Sequence, residues 1–167
     1  MPRMRRAQGS GDVPQESIRP YIERLIGEWL EEPLAGPNDE GRYLVRVNTS
    51  GFLVEIVDFE PTLVRMWSPV VVRIEKSIGL LEMLNGLNAN GLGLRIYHTD
   101  DQVILATELV ADTLDAREMH FACHLLASAA ERLGPELVAL YGGETLFTTR
   151  GGLPHHLDDR AISSSRN

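Results

Sequence analysis

Residues 91–109 read GLGLRIYHTDDQVILATEL, two strand-length apolar runs separated by a few turn-forming residues. A link this short leaves one way for the runs to pair, because a parallel return needs a crossover of a dozen or more residues. The hairpin is therefore antiparallel. On the first run Leu92, Leu94 and Ile96 alternate with Arg95 and Tyr97. On the second, Val103, Leu105, Thr107 and Leu109 face one way, and Ile104, Ala106 and Glu108 the other. Apolar residues on both sides of the second run mean a sheet with two faces to cover.

The same reading extends along the chain. SIRPYIERLIGEWLEE places Ile18, Ile22, Leu25 and Trp29 at helical spacing, with Ser17 as N-cap and Pro20 in the first turn. EEPLAGPNDEG ends that helix with two prolines and two glycines. Strands follow at 42–47 and 52–59, separated by the turn-forming set NTSG, and at 62–72 after Glu60-Pro61. Pro69 in the third run marks an edge, a bulge or the strand's end, because proline donates nothing to a ladder. A second helix carries Ile74, Ile78, Leu81, Leu84 and Leu87 and is ended by Gly86, Gly91 and Gly93. After the hairpin, Asp115 with Glu118 reads as a capping box. It opens a long helix to Tyr141 that Gly134-Pro135 should break or kink.

The expected architecture is α+β, an antiparallel five-stranded sheet with three helices in the order α-β-β-β-α-β-β-α. Residues 15–141 form the domain, flanked by a flexible basic tail at 1–14 and a flexible tail at 142–167, in which TLFTT offers a short added strand. One sheet face takes at most two helices, which leaves the middle helix for another subunit.

Charge narrows the partners. Six arginines lie at the chain ends, so residues 11–141 hold 10 basic against 21 acidic residues, about −11. That field repels phosphate backbones and attracts a basic polypeptide. No apolar run approaches the length of a membrane span, and the basic N-terminus lacks a signal-peptide apolar region. The single cysteine, Cys123, makes no intrachain disulfide. A cytoplasmic protein with neither nucleic acid nor membrane as partner is the expectation.

The middle helix and the elements after it carry a family likeness. LLEMLNGLN, residues 80–88 with Asn85 and Asn88, then the hairpin with its acidic turn, then the helix from Asp115 to Tyr141, resemble the YbjN-like proteins. More distantly they resemble the type III secretion chaperones that share that fold. The resemblance implies an acidic homodimer that binds an extended segment of another protein and has no enzymatic activity. It brings no catalytic or ligand residues to carry across. The basic N-terminal tail, Pro69 and the histidine-containing C-terminal tail depart from the pattern.

Phe52, Val54, Ile56, Met66, Trp67 and Tyr97 are the candidate peptide-binding residues. Large apolar side chains on a two-faced sheet suit an adaptable contact, Trp67 beside Met66 above all at a strand taken as an edge. The competing reading is that the same residues are core. A regulatory domain sensing a small apolar ligand between sheet and helices is the alternative function.

Enzyme chemistry finds little support. His120 and His124 stand at i, i+4, but HFACH lacks the glutamate of H-E-x-x-H and a third ligand. His155-His156 with Asp158 and Asp159 falls in the tail. His98, Asp100 and Asp101 crowd an exposed turn, and Cys123 on an apolar helix reads as a buried, inert thiol. No catalytic residue, metal site or cofactor is expected.

Overall fold

In a computed structural model, residues 15–91 and 93–146 are described. Helix α1 (Gln15–Leu30) is followed by strands β1 (Tyr43–Val47), β2 (Ser50–Val57) and β3 (Leu63–Val72). Helix α2 (Ile78–Asn90), strands β4 (Arg95–Thr99) and β5 (Gln102–Val110), and helix α3 (Ala116–Tyr141) complete the order. All four strand pairings are antiparallel, in the spatial order β1-β2-β3-β5-β4. The expected α+β class and element order are those observed. The N-terminal tail at 1–14, the His155-His156 cluster and most of TLFTT lie outside the described residues.

Local chemistry sets each boundary. The β1–β2 turn places Asn48 at φ +50, and the β4–β5 turn places Asp100 at φ +52. Asparagine and aspartate tolerate that left-handed region best among residues with a side chain. Asp115 Oδ1 accepts from the Glu118 N–H at 2.8 Å, so α3 starts at its expected cap. Ser77 Oγ caps α2 in the same way, accepting from the Leu80 N–H. That cap starts the helix after Ile74, which is fully buried ahead of it. Gly86 lies inside α2 rather than ending it, and Ser17 inside α1, which begins at Gln15.

Pro69 resolves into a bulge. β3 is the central strand, not an edge, and its register with β5 shifts between Pro69 and Val71. By the alternation of the ladder Gly51 faces Pro69, which has no N–H to give. Ser68 Oγ donates to the Gly51 carbonyl instead, at 2.6 Å. Helix α3 runs through Gly134-Pro135 against this bulge. A Cβ at Gly134 would stand 3.1 Å from Thr145 Cγ2 and 3.4 Å from the Val70 carbonyl, so glycine permits the close approach.

Helices α1 and α3 cover one sheet face. Ile22, Leu25 and Ile26 of α1 and Met119, Cys123, Leu126 and Leu137 of α3 join Phe52, Val54, Met66 and Leu105 in a single core. Trp29 tilts against Phe52 with ring centroids 6.1 Å apart. Tyr21 donates to the Leu114 carbonyl at 2.8 Å, and the His120 ring meets the Leu25 carbonyl at 3.1 Å, tying α1 to the α3 end of the chain. Burial, reinforced by the Glu23 carboxylate 2.6 Å from its hydroxyl, pushes the Tyr43 phenol above its ordinary range.

Helix α2 packs against β4, and its Leu80 and Leu84 join the same core rather than being left wholly for another subunit. The Asn88 side chain accepts from the Ile96 N–H at 2.8 Å and donates to the Ile96 carbonyl at 2.7 Å. One amide thus satisfies both outward backbone groups of an edge-strand residue, a protection edge strands need.

Candidate functional site: the sheet face opposite the helices

The alternation that buries Phe52 and Met66 under the helices sends their neighbours to the other side. The register aligns Leu44, Leu53, Trp67 and Ala106 in one row across β1, β2, β3 and β5, with Ile104 beside them. These residues form a second apolar cluster to which none of the three helices contributes. Trp67 is 2% exposed and Ile104 1%. Tyr97, paired with Ile104 from β4, is 38% exposed at the margin of the patch.

A charged row bounds this patch on one side. Glu55 lies between Arg42 (3.5 Å) and Arg65 (3.8 Å), and Glu108 between Arg65 (3.1 Å) and Arg95 (3.1 Å). Arg42 also pairs with Glu40, and its guanidinium lies over the Trp67 ring, 5.4 Å from the centroid. Such a cation over an indole is attracted by the ring quadrupole. Within the patch two buried polar atoms, Trp67 Nε1 and Gln102 Oε1, have no hydrogen-bond partner among the described residues. An orphaned donor and an orphaned acceptor on one face are what a polypeptide backbone is equipped to satisfy.

The structure divides the six sequence-predicted residues between the two faces. Phe52, Val54, Ile56 and Met66 lie beneath α1 and α3, at 0%, 0%, 7% and 0% exposure. Trp67 and Tyr97 lie on the opposite face. The six do not make one surface, because adjacent strand residues point to opposite sides. The residues that do accompany Trp67, namely Leu44, Leu53, Ile104 and Ala106, were legible as its register partners once the central position of β3 was known.

Two of the candidate histidines have structural partners. His120 and His98 each hold a backbone carbonyl, that of Leu25 and that of Ile74. No group of three or more potential metal ligands occurs among the described residues. Cys123 is fully buried, which pushes its thiol up to about 12. No described helix is long and apolar enough to cross a membrane.

Residues 16–149 match the family model described as "T3SS (YopN, CesT) and YbjN peptide-binding chaperone 1". The chain belongs to this family. Among solved structures, a chain of the ExsC–ExsE complex is similar with a TM-score of 0.59 at 15% identity, covering 75% of this chain and 96% of that one. A chain of the HopA1–SchA chaperone–effector complex gives 0.54 at 14% identity, covering 68% and 91%. A chain of the heterodimeric ExoU–SpcU complex from the type III secretion system of Pseudomonas aeruginosa gives 0.50 at 16%, covering 68% and 95%. At these identities the likeness is one of fold. No curated protein matches significantly.

Proposed function

We propose that this protein is a non-enzymatic, chaperone-like adaptor of the cytosol that works as a homodimer and holds an extended segment of another protein. The observation that carries the reading is the helix-free sheet face centred on Trp67, with two orphaned polar atoms beside an apolar row. An extended segment laid there buries its apolar side chains against Leu44, Leu53, Trp67 and Ile104 and offers backbone groups to Trp67 Nε1 and Gln102 Oε1. Tyr97, at the open margin, is the first residue it would meet. The excess of acidic residues in 11–141 favours a basic segment and speeds its encounter.

Helix α2 is the natural dimer element. Ile78 is 78% exposed and Leu81 38%, on a helix whose buried residues are only Leu80 and Leu84. Apolar side chains left outside on one helix suit an isologous contact with a second copy.

The neighbours described as chaperone–effector or heterodimeric complexes support a protein partner, and the family description supports peptide binding. A ligand-sensing domain finds no comparable support, since the family description names peptide binding. Native mass spectrometry on protein isolated gently from its own cells tests the reading. A dimer mass with an added polypeptide is expected. A monomer, or a small molecule in place of a polypeptide, contradicts it.

A further inference from the structure

The helix-free face has a second apolar row, more open to solvent than the one around Trp67. Val57 of β2, Leu63 of β3 and Val110 of β5 are register partners. Each stands an even number of residues from Leu53, Trp67 or Ala106 on its own strand, which puts all three on the same face. Leu63 is four residues along β3 from Trp67, about 13 Å, with the charged row of Glu55, Arg65 and Glu108 between them. Trp67 and Leu53 are 2% and 3% exposed, whereas Val110 is 38% exposed and Val57 and Leu63 are half-buried. Phe59, two residues past Val57, is 65% exposed. Among the described residues, none of these four joins an apolar core cluster. The strip is nevertheless held in shape. The Ala111 N–H donates to the Thr62 carbonyl at 2.9 Å, tying the end of β5 to the start of β3.

The border of this strip carries one sign of charge. Asp58, Glu60 and Asp112 are exposed, and neither 57–63 nor 109–114 holds a lysine or arginine. The guanidinium of the adjoining row, that of Arg65, is engaged between Glu55 and Glu108. Exposed apolar side chains gathered in one place mark a contact surface. Carboxylates around them select a cationic partner and reject phosphate.

We infer that Val57, Phe59, Leu63 and Val110 form a second docking surface, for a polypeptide segment that carries an apolar side chain flanked by lysine or arginine. The apolar side chain covers the strip, and the flanking cations face Asp58, Glu60 and Asp112. A single basic polypeptide supplies both groups. The charged row separates this surface from the Trp67 patch, so the two can fail independently.

The test uses the full chain, isotope-labelled for backbone amide NMR, and the end-capped synthetic peptide KRLFKR as probe. Titration should move the amides of 57–63 and 109–112. The peptide EDLFDE should leave them in place, and KRSGKR should bind about tenfold more weakly, as for loss of a central apolar contact. Phe59→Ser, at an exposed position outside the strands, should weaken KRLFKR by a similar factor with the rest of the spectrum unaltered. Asp58→Lys with Asp112→Lys should weaken it at low salt and matter less at high salt. Equal binding of EDLFDE or KRSGKR, shifts confined to other residues, or full affinity in Phe59→Ser overturns the inference. If a polypeptide from the cell binds over Trp67 while KRLFKR leaves 57–63 unmoved, the inference falls and the proposed function stands. Titration at 57–63 with no polypeptide carried from the cell supports the inference and removes the proposed function.

Discussion

The two faces of this sheet are built from alternate residues of the same strands, yet they are finished differently. The face of Phe52, Val54 and Met66 is sealed by two helices and belongs to one continuous core. That of Leu53, Trp67 and Ile104 has no helix, a charged border and two polar atoms without described partners. Such a contrast teaches where stability and function separate. A core satisfied by its own helices has nothing left to offer a partner. The face without a helix is the one we propose for a client. The family match, which describes a peptide-binding chaperone over 16–149, agrees with that division of labour.

Substitutions on the helix side should break the comparison most severely. Phe52→Ala removes a fully buried ring that also meets Trp29, and is expected to cost about 3–5 kcal/mol in urea unfolding followed by circular dichroism. A loss below about 1 kcal/mol would show that this layer is not the core.

The dryness of the same layer can be read by pH. Burial raises the Cys123 thiol from 9.0 to about 12, so the unfolded chain ionises it first. Its contribution is complete below pH 9 and declines as pH rises towards 12, by roughly 1.4 kcal/mol per unit. Cys123→Ala should flatten that part of the stability profile. An unaltered slope would place the effect elsewhere.

Asn88→Ala should cost about 1–2 kcal/mol, because both backbone groups of Ile96 lose their partner. Hydrogen exchange at β4 should accelerate while β1 is unaffected. Uniform acceleration would contradict a local role. Smallest of all is Arg65→Ala in the charged row, where partly exposed pairs are worth about 0–1 kcal/mol. Its stability change should be nearly lost at high salt.

Much of this was legible before any coordinates. Period-two alternation, turn residues and the Asp115 cap fixed the order of elements, and LLEMLNGLN with its hairpin pointed to the family. Strand order was harder to read, because nothing local in TLVRMWSPVVV says that β3 is central. Taking Pro69 as a possible edge put Trp67 at the rim, whereas Ser68 supplies the missing hydrogen bond and lets proline sit mid-sheet. The candidate site suffered from the same gap. Met66 and Trp67 are adjacent in sequence and so cannot share a face of a regular strand. Neither could Tyr97 join Phe52, since face membership across strands depends on register, which only long-range pairing sets.

The measurement that bears most directly on the account is capture by Trp67→Ala of the polypeptide identified with the native protein, measured per folded molecule alongside the helical circular dichroism signal. Capture reduced about tenfold or more with the helical signal intact is the predicted result, as for a central aromatic contact. A collapse of the helical signal would make Trp67 a core residue like Phe52, and capture at the native level would move the binding surface off this face.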